Sequence, residues 1–181
     1  EFFTESNYTL VEPLFDPDIS NVDVQNIYMI DEVAESSIDA VFLFEALDRS
    51  TDPFNLLKKV INFIKPGGLC FITCLLSSGF EVLALGHKSK IFVPPERMNL
   101  LSYEGMNALI ENINGFEVLE FSTPGVLDIP NFIKQIDEAR NSYFFNYIFR
   151  KRQDSELLKT FQDFLQMNCL GTFGRLVLRK Q

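Results

Sequence analysis

The sequence has no tryptophan, a single histidine (His87) and no glycine before Gly67. Without tryptophan, aromatic packing falls to 19 phenylalanines and 5 tyrosines. His87 sits in the polar stretch Gly86-His87-Lys88 with no partner identifiable along the chain, and it reads as a surface histidine. Positive charge is scarce: 16 Lys and Arg against 25 Asp and Glu give a formal charge of −9, which disfavours a general nucleic-acid binder. The one basic run, Arg150-Lys151-Arg152, is followed by Asp154 and Glu156 and reads as a solvated helix junction. Three cysteines, Cys70, Cys74 and Cys169, form neither a disulfide framework nor a zinc spacing, so no metal site is expected and a reduced, cytoplasmic compartment is the simplest expectation. No apolar run is long enough to span a bilayer, and no signal-peptide pattern opens the chain. The chain begins Glu1-Phe2 without methionine, which reads as an expressed fragment or a trimmed chain.

What is present is a globular balance, 46% hydrophobic and 23% charged, over 181 residues, enough for a single domain spanning 1–181. Tyr8 to Val11 is a short β-rich run stopped at Glu12-Pro13, and Val22 to Tyr28 is a second strand candidate. Ala40 to Phe44 is a continuous apolar run after Asp39, a pattern that predicts a strand in the middle of a sheet covered on both faces. A helix follows, with Asp52 as cap, Pro53 at its first position and Phe54, Leu57, Val60, Ile61 and Ile64 on one face. Pro66-Gly67-Gly68 ends it, and Leu69 to Cys74 is a second buried strand. This βαβ unit predicts two parallel strands. Ser102 opens another helix with Met106, Leu109, Ile110 and Ile113 on its apolar face and Gly115 at its stop; Phe116 to Phe121 is then a strand. A helical insertion is expected over 128–170, before a last strand at about 172–179. The alternation predicts an α/β, doubly wound sheet.

Ser37-Ile-Asp-Ala-Val-Phe-Leu-Phe-Glu-Ala-Leu-Asp-Arg49, then Asp52-Pro53, Leu56-Leu57 and Ile64-Lys-Pro-Gly-Gly-Leu69, resemble the central segment of class I S-adenosylmethionine (SAM) dependent methyltransferases. Gly115-Phe-Glu-Val118, Thr123-Pro-Gly-Val-Leu-Asp128 and Gly174-Arg-Leu-Val-Leu-Arg-Lys180 extend the resemblance over most of the chain from Tyr8 onward. It implies a Rossmann-like, mostly parallel sheet with an antiparallel last strand, and SAM as cofactor. It implies that Glu12, ending the second strand of the family's sheet, accepts hydrogen bonds from the ribose hydroxyls. Asn26 stands near the position that contacts adenine, and Phe44 and Glu45 stand where the family lines the methionine side of SAM. Read without the resemblance, Glu12 is a surface glutamate, Asn26 a polar strand residue and Phe44 a core side chain.

The sequence departs from the family at three places. Arg49 and Arg97 stand where relatives carry histidines, and arginine stays protonated, so no general base is assigned and the catalytic residues are unknown. The glycine-rich turn after the family's first strand has no counterpart among the first 66 residues. The expectation is therefore an N-terminally incomplete domain whose SAM site is incomplete in this chain. The full-length form is expected to methylate a small-molecule or sugar-linked acceptor; the competing reading is a non-catalytic methyltransferase-like module for binding or assembly. The aromatic-rich insertion is the expected place for acceptor specificity or for homo-oligomer contacts.

Overall fold

The structure, a computed structural model, describes residues 8–11, 24–28, 33–152 and 154–181. Strands β1 (Tyr8–Val11) and β2 (Val24–Tyr28) pair in parallel. A four-stranded sheet follows, built from β3 (Ile38–Phe44), β4 (Ile64–Leu75), β5 (Phe116–Ser122) and β6 (Phe173–Lys180) in the order β3-β4-β6-β5. The β3–β4 pair is parallel, as the βαβ pattern predicts, and β6 runs antiparallel to both its neighbours.

The crossover between β3 and β4 consists of α1 (Ala46–Arg49) and α2 (Pro53–Phe63). The predicted cap forms: the Asp52 carboxylate accepts from the Asn55 N–H at 3.0 Å, and Pro53 occupies the first helical position. Helix α4 (Tyr103–Ile113) is capped in the same way, with Ser102 Oγ accepting from Gly105 N–H at 3.0 Å. Leu57 and Val60 of α2 and Met106, Ile110 and Ile113 of α4 pack with Cys70, Ile72 and Cys74 of β4 and Leu176 and Leu178 of β6. Burial of both strand cysteines pushes the Cys70 thiol up to about 12 and the Cys74 thiol higher, so both are inert packing groups.

Two strand expectations are corrected. Pro66-Gly67-Gly68 belongs to β4, because α2 has already ended at Phe63 with Ile64 extended; the glycines accommodate the register shift between Ile38 and Ala40 where β4 meets β3. Strand β3 ends the four-stranded sheet, and Phe42 and Phe44 are 52% and 68% exposed. Side chains alternate across a strand, so Val41 and Leu43 enter the core while the alternate residues stand on a face with no described helix over it.

Between β5 and β6 lie α5 (Asp128–Ile133), α6 (Ser142–Phe145), a π-helix (Asn146–Lys151) and α7 (Ser155–Met167). With α3 (Phe80–Leu85) they enclose a second core of Phe80, Leu85, Ile129, Phe132, Ile136, Phe149 and Leu165. Phe132, Ile136 and Ala139 of the insertion are buried and Ile133 packs against them, over broken turns rather than one helix. Arg150 pairs with Asp137 and Arg152 with Asp154 at exposed positions, as a solvated junction would. Among the described residues no helix is long and apolar enough to cross a membrane.

Candidate functional site at the carboxyl end of β3

Ligands of open α/β sheets bind beyond the carboxyl ends of the parallel strands. Here that place is the β3–α1 junction. The apolar run of β3 carries the chain to Phe44, and the next residue turns sharply: Glu45 is left-handed, at φ 51 and ψ 22. A non-glycine residue pays for that conformation, so other contacts must hold it. Its N–H donates to the Thr73 carbonyl at 2.9 Å and to Thr73 Oγ1 at 3.2 Å, fastening the turn to β4.

The side chain of Glu45 is held as firmly. Its carboxylate accepts from Arg97 Nη2 at 2.6 Å and lies 3.5 Å from Arg49 Nη2, and Arg49 also donates to Glu96. The two arginines that replace the expected histidines therefore meet on one carboxylate. They are structural cations here, bound in the alternating series Arg97, Glu45, Arg49, Glu96.

Asp48 is the centre of the junction and was missed in the sequence as a distinct site residue. It is 3% exposed. Its carboxylate accepts from the Leu75 N–H at 2.9 Å, and its main-chain carbonyl accepts from the N–H groups of Met98 and Asn99 at 2.8 and 3.0 Å. Burial raises its pKa from the ordinary 3.8 to about 6; the Leu75 N–H opposes the rise, Glu45 adds to it, and Arg97 and Arg49 oppose it. The only sequence signal was the acidic residue three places after Glu45 in a four-residue helix. Asn99 Nδ2 donates to the Ser50 carbonyl, completing the attachment of residues 94–99 to α1. A cavity of about 200 Å³ lies within this segment, lined by Ile91, Val93, Pro94, Arg97, Met98 and Leu100 among others.

Of the predicted site residues, Phe44 and Glu45 are brought together at this strand end. Asn26 stands in β2, opposite Thr9 of β1, and Glu12 lies outside the described residues. His87 is exposed in a short turn. A second buried carboxylate, Asp128, ties the 123–128 motif to the insertion: it accepts from Thr172 N–H at 2.7 Å and Gln162 Nε2 at 2.8 Å, and Gln162 also donates to the Gly125 carbonyl.

No protein-family model and no curated protein matches the chain. Solved structures do. The plantazolicin methyltransferase BamL, in complex with a triazolic desmethylPZN analog and S-adenosylhomocysteine, is 16% identical, with a TM-score of 0.57 over 99% of this chain and 70% of that one. Phosphoethanolamine N-methyltransferase 2 of Haemonchus contortus, in complex with SAM, is 19% identical, with a TM-score of 0.51 over 87% of this chain and 37% of that one. The cyclase SpnF is 14% identical, with a TM-score of 0.50 over 86% of this chain. The chain spans 55% of the length of SpnF. A cyclase and methyltransferases share this architecture, so the likeness speaks to fold and leaves chemistry to the site. The strand order, the βαβ unit, the antiparallel β6 and these neighbours together establish that the chain has the Rossmann-like fold of class I SAM-dependent methyltransferases.

Proposed function

We propose that the chain is the downstream part of the cofactor-binding domain of a SAM-dependent methyltransferase acting on a small-molecule or sugar-linked acceptor. The observation that carries this reading is the β3–α1 junction. An exposed Phe44 ring and a left-handed Glu45 stand at the carboxyl end of the parallel β3–β4 pair, where such sheets receive ligands.

The residues present fit the cofactor in part. Phe44 offers a flat apolar surface at the strand end. The Glu45 carboxylate is committed to Arg97 and Arg49, so its contribution is the geometry of the turn rather than a free acceptor. Glu12 is assigned to the ribose hydroxyls and Asn26 to the adenine side by the same reading. A glycine-rich turn from polypeptide beyond these 181 residues would complete the site. SAM would supply the methyl group; this chain's residues would bind and orient it, and alignment of donor and acceptor supplies much of the acceleration in such transfers. Tyr143, Phe144 and Tyr147, exposed on the insertion, are where acceptor contacts or self-association would lie.

Calorimetry and a radiolabelled-methyl assay on the whole gene product test this. The expected result is stoichiometric SAM binding, weakened about tenfold by Phe44→Asp, the size of a lost contact worth about 1.4 kcal/mol. Failure of the whole gene product to bind SAM or its demethylated product would sink the reading.

A further inference from the structure

Arg97 does more at this junction than a surface ion pair does. Its side chain is 16% exposed, its Nε is fully buried without a partner among the described residues, and its Nη2 reaches a carboxylate 52 residues earlier in the chain. Exposed ion pairs contribute little, whereas a hydrogen bond between opposite charges held partly out of water contributes more and costs more to break. The left-handed backbone of Glu45 is unfavourable for a residue with a Cβ, and the Arg97 contact adds a hold on its side chain to the one its N–H makes with Thr73. Arg49 cannot substitute: it lies farther from Glu45, at 3.5 Å, and is already bound to Glu96.

We propose that Arg97 is a positioning residue: by gripping the Glu45 carboxylate it keeps the β3–α1 turn in its left-handed form and holds residues 94–100 closed against the end of β3. The inference deepens the methyltransferase reading by naming what sets the shape of that wall, and its ligand arm rests on that reading. It also assigns the wall an electrostatic property. With Arg97 in place, the charges of Glu45 and Glu96 are balanced by two arginines; without Arg97 the two carboxylates share the single cation of Arg49, which leaves one excess negative charge at the strand end beside Phe44. The charged and titratable groups facing Arg97 are Glu45, Arg49 and Asp48 around the β3–α1 turn and Glu96 on its own segment, with Cys74 of β4 behind Asp48.

Hydrogen exchange read by mass spectrometry tests the grip directly. In Arg97→Met, peptides covering 45–50 and 94–100 should lose protection by about tenfold or more, as expected for loss of a hydrogen bond between charged groups, while β4 and β6 are unchanged. Glu45→Gln should reproduce that pattern, the double variant should add nothing to it, and Arg97→Lys should restore most of the protection. Arg97→His supplies a readout that packing alone would not move. Relative to wild type at the same pH, its protection should be retained at pH 5.5, where imidazole is charged, and lost at pH 8. Protection in Arg97→Met equal to wild type, or a pH-flat Arg97→His, overturns the proposal.

The ligand arm uses SAM and S-adenosylhomocysteine, which differ by the sulfonium charge. Arg97→Met should shift the affinity ratio several-fold toward the cation; an equal change in both overturns the electrostatic part. If the whole wild-type gene product binds neither ligand while the exchange pattern holds, the methyltransferase reading falls and the positioning role stands. If the ligands bind and the exchange pattern fails, only the positioning role falls.

Discussion

At the scale of single residues, the buried carboxylates carry the specific structure. Asp48 accepts one main-chain N–H with its side chain and two with its carbonyl, so it joins β4, α1 and the 94–99 segment. The raised pKa means that folding favours its neutral form. Its stabilising contribution is complete below the ordinary carboxylate value of 3.8 and disappears as pH rises through about 6. The rise from 3.8 to about 6 corresponds to on the order of 3 kcal/mol for this buried group. Asp48→Asn removes the charge and keeps an oxygen for the Leu75 N–H. Urea unfolding should find the variant more stable than wild type at pH 8, by on the order of 1–3 kcal/mol, with the advantage gone near pH 4. Equal stability differences at both pH values would show that Asp48 does not titrate in this range. Asp128, with two polar partners on its carboxylate, was readable only as part of a motif, because those partners, Gln162 and Thr172, lie 34 and 44 residues away.

At the scale of elements, local signals translate directly into structure wherever they are self-contained. The caps of α2 and α4 form as their sequences suggest, because the capping side chain and the N–H it satisfies lie within three residues. The β3–β4 crossover is different. A Cβ on Gly68 would lie 2.8 Å from the Asp39 carbonyl oxygen and 2.7 Å from Ile64 Cγ2, so glycine is required by the neighbouring strand. At Gly67 nothing lies within 4 Å of such a Cβ, but φ is +79°, so the requirement there is conformational. Gly68→Ala should therefore cost about 1–3 kcal/mol through forced backbone movement. Gly67→Asn should cost less, on the order of 1 kcal/mol or below, because asparagine tolerates positive φ. The ratio of the two effects in urea denaturation checks this. Equal costs would mean that the approach of Asp39 is not what selects glycine.

At the scale of the whole molecule, two cores share one chain. One fills the space between the sheet and helices α2 and α4; the other is the aromatic cluster of α3 and the insertion. The Leu76 N–H to Thr172 carbonyl bond at 2.8 Å and the Phe80 N–H to Leu170 carbonyl bond at 2.7 Å join them, beside the Asp128–Thr172 contact. Phe132 is fully buried, with ring centroids 4.9 Å from Phe80 and 4.8 Å from Phe145 in edge-to-face geometry. Phe132→Ala should cost about 3–5 kcal/mol. Exchange should accelerate first in α3, α5 and the π-helix, with β4 and β6 following only on global unfolding. Simultaneous loss everywhere would mean that the two cores unfold as one unit.

The sequence by itself determined the βαβ unit, both helix caps and the inward residues of α2 and α4, each through periodicity or capping chemistry acting over a few neighbouring residues. The antiparallel final pair was implied by the resemblance to methyltransferases rather than by any local pattern. It also brought Phe44 and Glu45 forward as candidates through the segment that resembles methyltransferases. Only the tertiary structure decided that Phe42 and Phe44 stand on a face that no described helix covers, since an apolar run does not say what packs against either side. It likewise decided that the insertion breaks into short turns around an aromatic cluster. The pairing of Arg97 with Glu45 is the clearest case. In sequence, Arg97 is an arginine where a histidine was expected; in space, it is the cation that holds a left-handed glutamate at the end of β3. A contact made across 52 residues leaves no periodic trace in the chain.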